Sequence, residues 1–353
     1  MTTGDPGRRL RVAVAGVGAF GRHHARVYAE LPGAELVAVV DRDGAAAAEA
    51  AARHGCAALA DVSALPPDLD AVSVAVPTVH HAAVAIPLLL RGVACLVEKP
   101  FAPSVAEGEA IVAAARRGGA VLATGHIERF NPAIVALGGL PLRPRFLECH
   151  RIAPFSFRSA DVGVVLDLMI HDLDLVLHLA GSDPVRVDAV GVPVLTAHED
   201  LANARVEFAN GCVADITASR VGTKTERKLR LFSEDAYMVL DFARKEGWTY
   251  RKAPGLSLEA VMRLKAGAKS LADLKDVVFG DLLTVEPVKI EEHEPLKAEL
   301  ASFLDAVRTG GRPVVSGEDG LRAVRLALDV TEAIGRTTAR FRAGASPAAP
   351  PPP

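Results

Sequence analysis

Three groups of residues in this 353-residue chain are of the types, at the spacings, that chemistry requires. The first is Gly16-Val17-Gly18-Ala19-Phe20-Gly21, a Gly-x-Gly-x-x-Gly run between an apolar stretch and a helical one. Its first glycine allows a tight turn, and its second lets the backbone approach a pyrophosphate. The third lets the next helix pack closely, with its N-terminus toward the phosphates. Gly16, Gly18, Ala19, Phe20 and Gly21 are therefore candidate dinucleotide contacts. Asp41 closes the next apolar stretch, twenty residues past Gly21, where a carboxylate can accept both hydroxyls of a ribose. It would repel a 2′-phosphate, which favours NAD over NADP. Arg42 beside it tempers that preference, either by accommodating the phosphate or by stacking on adenine.

The second group is Glu98-Lys99-Pro100, at the end of the apolar run 93–97. The third lies in a helix expected over 164–180. On a regular helical wheel Asp167, His171, Asp174 and His178 fall within an arc of about 60°. Most of the remaining residues are aliphatic, Asp172 excepted, so this polar stripe must be paired inside the protein or line a cleft. Histidine is the side chain best suited to move a proton near neutral pH, and a carboxylate one turn earlier can orient its ring. For Asp174 and His178 the competing reading is a buried pair that holds the helix in place. No metal is expected, because no further ligand cluster such as His-Glu-x-x-His accompanies these residues.

Short Val/Ala-rich strands at 10–15, 35–40, 71–76, 94–97 and 121–124 alternate with helices at 19–31, 44–54, 81–91 and 104–117. That rhythm predicts a parallel sheet with crossover helices, and the continuous apolar strands predict cover on both faces. Beyond about residue 131 the pattern changes. The helix at 164–180 precedes alternating strands at 185–195, 203–208, 212–219, 228–232 and 236–241, with Asn210-Gly211 as a hairpin turn. The fold class expected is α/β: an N-terminal Rossmann domain with a parallel sheet (1–130), then an α+β domain with an open, mostly antiparallel sheet (131–338). Residues 251–292 read as an insertion. Helices near 295–309 and 317–336 close the fold and are free to pack back on the first domain, and an Ala/Pro-rich tail, 339–353, is expected to be disordered.

The net charge of −3 excludes the basic excess of a nucleic-acid binder. Cys56, Cys95, Cys149 and Cys212 are scattered, as reduced cytosolic thiols would be. Neither a signal peptide nor a membrane span is expected, which points to the cytoplasm. An open sheet of this size predicts a homo-oligomer, a dimer or tetramer.

Gly16 to Gly21, Pro77-Thr78-x-x-His81, Glu98-Lys99-Pro100 and Asp167-x-x-x-His171 occur in the order seen in the glucose–fructose oxidoreductase / inositol dehydrogenase / MocA (Gfo/Idh/MocA) family, which the chain resembles over about residues 9–338. The resemblance implies an oxidoreductase acting on an alcohol, with Lys99, Asp167 and His171 at the family's catalytic positions. It adds Pro77, Thr78, His81, Glu98 and Lys99 to the cofactor contacts. His171 would take the hydroxyl proton, Asp167 would orient His171, and Lys99 would bind the hydroxyl oxygen; the alternative base is Lys99 itself. Pro100 would fix the turn, and Glu98 would be a ribose contact or an ion-pair partner.

The run Gly125-His126-Ile127-Glu128-Arg129-Phe130-Asn131-Pro132 resembles a subgroup that oxidises the 3-hydroxyl of UDP-N-acetylglucosamine to a ketone. A partner aminotransferase then aminates that ketone for lipid A. Glu128, Arg129, Asn131, Arg151 and Arg158 are candidate substrate contacts, with Arg220 and Lys224 as further cations. The competing reading of Glu128-Arg129 is a salt-bridged hinge. A UDP-sugar uronate, a free hexose or a cyclitol is the alternative substrate. A non-catalytic dinucleotide sensor is the alternative of another kind, disfavoured because a sensor needs no proton relay.

Overall fold

The computed structural model describes residues 8–138, 143–156, 162–234, 236–252 and 283–344. They fall into two units: residues 1–131 with 293–328, and 132–292 with 329–353.

The first unit is built on six parallel strands. They are Leu10–Ala15 (β1), Ala34–Val40 (β2), Ala57–Leu59 (β3), Ala71–Val74 (β4), Ala94–Glu98 (β5) and Leu122–Gly125 (β6), in the order β3-β2-β1-β4-β5-β6. Helices Gly21–Glu30 (α1), Gly44–His54 (α2), His81–Leu90 (α3) and Val105–Gly118 (α4) make the crossovers. Local chemistry sets their ends. The Asp43 carboxylate accepts from the Ala45 and Ala46 N–H groups at the start of α2, and Ser104 Oγ accepts from Glu107 N at the start of α4. Both helices stop at a left-handed glycine, Gly55 and Gly119. Pro295–Thr309, named α7 below, adds Leu296, Leu300, Phe303 and Leu304 to a core containing Val12, Val14, Val27 and Tyr28. The late helix at 295–309 thus belongs to the first unit.

The second unit carries an eight-stranded sheet, in the order β14-β13-β12-β11-β7-β10-β9-β8. Its strands are Phe146–Ile152 (β7), Pro184–Val192 (β8), Leu201–Phe208 (β9), Val213–Ser219 (β10), Glu226–Phe232 (β11), Ala236–Asp241 (β12), Glu246–Lys252 (β13) and Leu283–Pro287 (β14). All neighbours are antiparallel except β7 and β10. On β7, Leu147, Cys149 and Arg151 are buried while Phe146, Glu148, His150 and Ile152 are half-buried, the alternation of a sheet with one covered face. Helix Ile170–Ala180 (α6) packs on β7 and β10, and the short helix Pro132–Val135 (α5) opens the unit. Gly211, at φ +83°, makes the β9–β10 turn where Asn210-Gly211 predicted it. The parallel-plus-open-antiparallel expectation therefore holds.

Several boundaries differ from those expected. β3, β7, β13 and β14 are additional strands; β13 runs into the region read as an insertion, 251–292, and β14 lies within it, while residues 253–282 lie outside the described part. The last helix, Gly317–Gly344 (α8), runs past 336 and through the first residues of the expected tail, and residues 345–353 lie outside the described part. Its residues up to 328 belong to the first unit and those from 329 to the second. The helix expected over 164–180 is two pieces, a π-helical turn at Val165–Met169 followed by α6. Among the described residues no helix is long and apolar enough to cross a membrane.

Candidate active site

The nucleotide loop shows its chemistry in where side chains would fit. A Cβ on Gly16 would meet the backbone of Ala75 at 2.7 Å, and one on Gly21 would meet Gly16 O at 1.7 Å. Gly16 also has φ +88°, a conformation that favours glycine. A Cβ on Gly18 would meet nothing within 4 Å. The loop is thus closed on the protein side and open on the other, where Gly18, Ala19 and Phe20 are exposed. No side chain caps the first turn of α1; Arg22 N donates to Gly18 O at 3.3 Å and His23 N to Phe20 O at 2.9 Å, so the turn is closed by backbone alone. These features fit a dinucleotide pyrophosphate.

Asp41 is held by two backbone N–H groups. Its Oδ2 accepts from Val17 N at 2.8 Å and its Oδ1 from Asp43 N at 3.0 Å, which fixes the carboxylate and leaves a lone pair on each oxygen. Arg42 is exposed beside it. After β4 the chain turns through Pro77 and Thr78 into α3. His81 is buried, its Nε2 2.9 Å from Val76 O and its Nδ1 3.2 Å from Phe101 O. Burial lowers its pKa, against the pull of those carbonyls. Both ring nitrogens face backbone carbonyls, and a neutral ring donates to one of the two, so His81 links the β4 exit with the segment after Pro100.

Glu98, Lys99 and Pro100 stand at the end of β5, and the Lys99–Pro100 peptide bond is cis. Lys99 N donates to Glu98 Oε2 at 3.2 Å. Glu98 Oε1 is 2.9 Å from His24 Nε2, whose Nδ1 lies 3.1 Å from Ser73 Oγ. Ser73 Oγ is in turn 2.8 Å from the Tyr28 hydroxyl. Glu98 is 7% exposed, and His24, Ser73 and Tyr28 are fully buried. Sequence reasoning passed over His24, Ser73 and Tyr28. The available signal was a histidine three residues past Gly21 on the face of α1 that also carries Ala25, Val27 and Tyr28.

In the second unit Asp167 lies inside the π-helical turn and His171 is the second residue of the regular helix after it; both are half-buried. π-Turns concentrate at functional sites because they displace side chains from the regular helical register. The single polar stripe expected from a uniform wheel is therefore broken. Asp174 is buried, whereas His178 is exposed rather than half of a buried pair. Buried ion pairs hold this region. Arg151 makes two 2.8 Å bonds to Asp172, Nε to Oδ2 and Nη2 to Oδ1, with both side chains 4% exposed. Arg220 Nε donates to Asp200 at 2.7 Å and its Nη1 to Val162 O at 2.7 Å, while Val164 N donates to Glu199 O at 2.9 Å. The lead-in to the π-turn is thus fastened to the loop at 194–200.

Of the expected substrate cations, Arg151 and Arg220 are buried in these internal pairs. Lys224 lines an open depression of about 400 Å³ with Lys228 and Arg244. Arg158 lies outside the described residues. Glu128 and Arg129 are buried in the first unit, within the turn Ile127–Phe130 that packs on α7, and Asn131 Nδ2 donates to Glu128 Oε2 at 3.0 Å. All four cysteines are free, and no cluster of three potential metal ligands occurs among the described residues.

The chain is similar to known proteins. Residues 10–126 match the family described as "Oxidoreductase family, NAD-binding Rossmann fold", and residues 145–239 match the "GFO/IDH/MocA C-terminal domain". The chain is 39% identical to the UDP-N-acetylglucosamine 3-dehydrogenase of Acidithiobacillus ferrooxidans, covering 92% of this chain and 97% of that protein. It is 25% identical to the NAD⁺-dependent scyllo-inositol 2-dehydrogenase of Bacillus subtilis, covering 92% and 93%. A solved structure of the Acidithiobacillus enzyme superposes with a TM-score of 0.82 over 93% of this chain and 98% of that one, at 38% identity. Levoglucosan dehydrogenase in complex with NADH and L-sorbose shares the fold, with a TM-score of 0.78 at 20% identity. The loop at Gly16 to Gly21, the anchored Asp41 and the two sheets define an oxidoreductase that uses a nicotinamide dinucleotide. The chain belongs to the Gfo/Idh/MocA family.

Proposed function

We propose that this protein uses NAD to oxidise a sugar-nucleotide hydroxyl to a ketone, the 3-hydroxyl of UDP-N-acetylglucosamine. The observation that carries this reading is the end-to-end similarity to the Acidithiobacillus 3-dehydrogenase. A nicotinamide dinucleotide held by the loop at Gly16 to Gly21 and by Asp41 would supply the acceptor for a hydride from the carbinol carbon. His171 takes the hydroxyl proton on a ring nitrogen, and Asp167, one turn earlier, orients the imidazole. Lys99 binds the hydroxyl oxygen and stabilises the charge that develops there. Asp41 accepts the ribose hydroxyls, and its fixed negative charge disfavours the 2′-phosphate of NADP. Arg129 and Asn131 are assigned to the substrate side. The stacked rings of Phe232, Tyr237 and Tyr250, at centroid distances of 4.4 and 5.2 Å on the less covered sheet face, support self-association. A partner aminotransferase would consume the ketone on the way to lipid A.

The test is NADH formation from NAD with UDP-N-acetylglucosamine, its uronate, UDP-glucose and myo-inositol, each with a ketone trap, because oxidation of an alcohol by NAD is uphill. NADH with UDP-N-acetylglucosamine alone supports the reading. Signal with another substrate instead keeps the chemistry and discards the substrate, and NAD binding without turnover on any of them favours a sensor.

A further inference from the structure

The chain Tyr28–Ser73–His24–Glu98 serves no purpose in the chemistry above, yet it ends on the residue before Lys99. Its four polar groups can be satisfied in one direction. The Glu98 carboxylate accepts, so His24 carries its proton on Nε2 and its Nδ1 accepts from the Ser73 hydroxyl; Ser73 Oγ then accepts from Tyr28. Burial pushes the Tyr28 phenol up, so it remains a donor. The same carboxylate is confined from the opposite strand. Gly125 on β6 pairs with Glu98 on β5, and a Cβ there would sit 2.7 Å from Oε1 and 2.9 Å from Oε2. Glu98 therefore has one place to be, and in that place Oε2 receives the Lys99 N–H.

We propose that His24 and Gly125 are positioning residues for Lys99: they fix the Glu98 carboxylate, which fixes the start of the Lys99 backbone and so where its ammonium group reaches. Ser73 and Tyr28 support this by setting the tautomer and orientation of His24. The inference rests on the assignment of Lys99 to the reacting hydroxyl.

The experiment compares holoenzyme with NAD bound in His24→Leu, His24→Gln, Gly125→Ala, Tyr28→Phe and, as a matched core defect, Val27→Ala. Two quantities are read: kcat and KM with UDP-N-acetylglucosamine, and the rate of Lys99 acetylation by acetic anhydride, followed by mass spectrometry, which needs no turnover. A displacement of the order of an ångström costs about 100-fold in kcat, and that loss is expected for His24→Leu and Gly125→Ala, with the KM for NAD changed less than about twofold. His24→Gln, which keeps an N–H within reach of Glu98, recovers most of the loss, and Tyr28→Phe loses less than His24→Leu. The Lys99 acetylation rate shifts in His24→Leu and Gly125→Ala but not in Val27→Ala. Unchanged kcat and labelling in His24→Leu and Gly125→Ala, or the same changes in Val27→Ala, overturn the proposal. Wild-type protein that turns over none of the sugars while Lys99 labelling still shifts would sink the dehydrogenase reading alone.

Discussion

The segments that carry Lys99 and His171 are held in place by different chemistry. Around Lys99 the fixing groups are a carboxylate, an imidazole and two hydroxyls in a linear hydrogen-bond chain across a parallel sheet. Around Asp167 and His171 they are two arginine–carboxylate pairs, Arg151–Asp172 and Arg220–Asp200, all with less than a tenth of their side-chain surface exposed. A strand end leaves little freedom to remove, so a modest chain suffices to orient one carboxylate. A π-turn interrupts the regular hydrogen-bond ladder, so the backbone around it is tied down by strong, charge-assisted bonds. The contrast predicts that damage near Lys99 lowers rate more than stability, and damage near His171 does the reverse unless it touches the reacting groups.

The largest expected effects come from the two groups proposed to react, His171 and Lys99. His171→Asn should lower kcat by about 100- to 10,000-fold, the usual range for a general base. Lys99→Ala should cost about 100- to 1,000-fold, as for an oxyanion donor, with NAD affinity by fluorescence titration retained in both. If either variant also abolishes NAD binding, the division of labour between the regions is wrong. Next is the ion pair: Asp172→Asn should destabilise by about 3–5 kcal/mol in denaturant titration because the buried Arg151 loses its countercharge. Replacing both, as Arg151→Met with Asp172→Leu, should restore most of that stability. By contrast Ser73→Ala, which removes an uncharged hydroxyl, should cost about 1–3 kcal/mol. Equal losses at Asp172 and Ser73 would erase the comparison.

Smaller effects sharpen it. Asp41→Ala should weaken NAD by about 1.5–3 kcal/mol, the worth of hydrogen bonds to a charged group, and narrow the preference over NADP, read as the ratio of kcat/KM for the two cofactors. The smallest is the acid limb of stability. Burial alone would raise the Asp200 pKa, but the N–H groups of Leu195 and Thr196, the Arg220 guanidinium and the Val194 N–H hold it well below the ordinary carboxylate range. A depressed folded pKa contributes stability that is complete above the unfolded value of about 4 and is lost as the pH falls below it. The thermal midpoint of the wild type should therefore fall through that acid window, and Asp200→Asn should fall less steeply from a lower starting point.

Much of the first unit was legible because its signals are local. A continuous apolar strand, a glycine loop and Asp41 twenty residues on need no knowledge of distant partners. The second unit was read less well for the same reason inverted. Strand β7, Phe-Leu-Glu-Cys-His-Arg-Ile, places Arg151 on its buried face, which breaks the apolar alternation unless Asp172 on another element is known to neutralise it. The π-turn likewise leaves no mark in a run of Val, Leu and Met, so a uniform wheel misplaces Asp167 relative to His171, Asp174 and His178 on the regular helix.

The sequence by itself determined the order of strands and helices, the dinucleotide loop and the residue types available for proton transfer, because these depend on neighbours within a few positions. Only the tertiary structure decided what holds them. His24 meets Ser73 across 49 residues and Glu98 across 74, because parallel crossovers bring α1, β4 and β5 side by side. Arg151 finds Asp172 only once β7 and α6 are packed. Bonds of this kind are made by proximity in space, and a one-dimensional pattern carries no record of it.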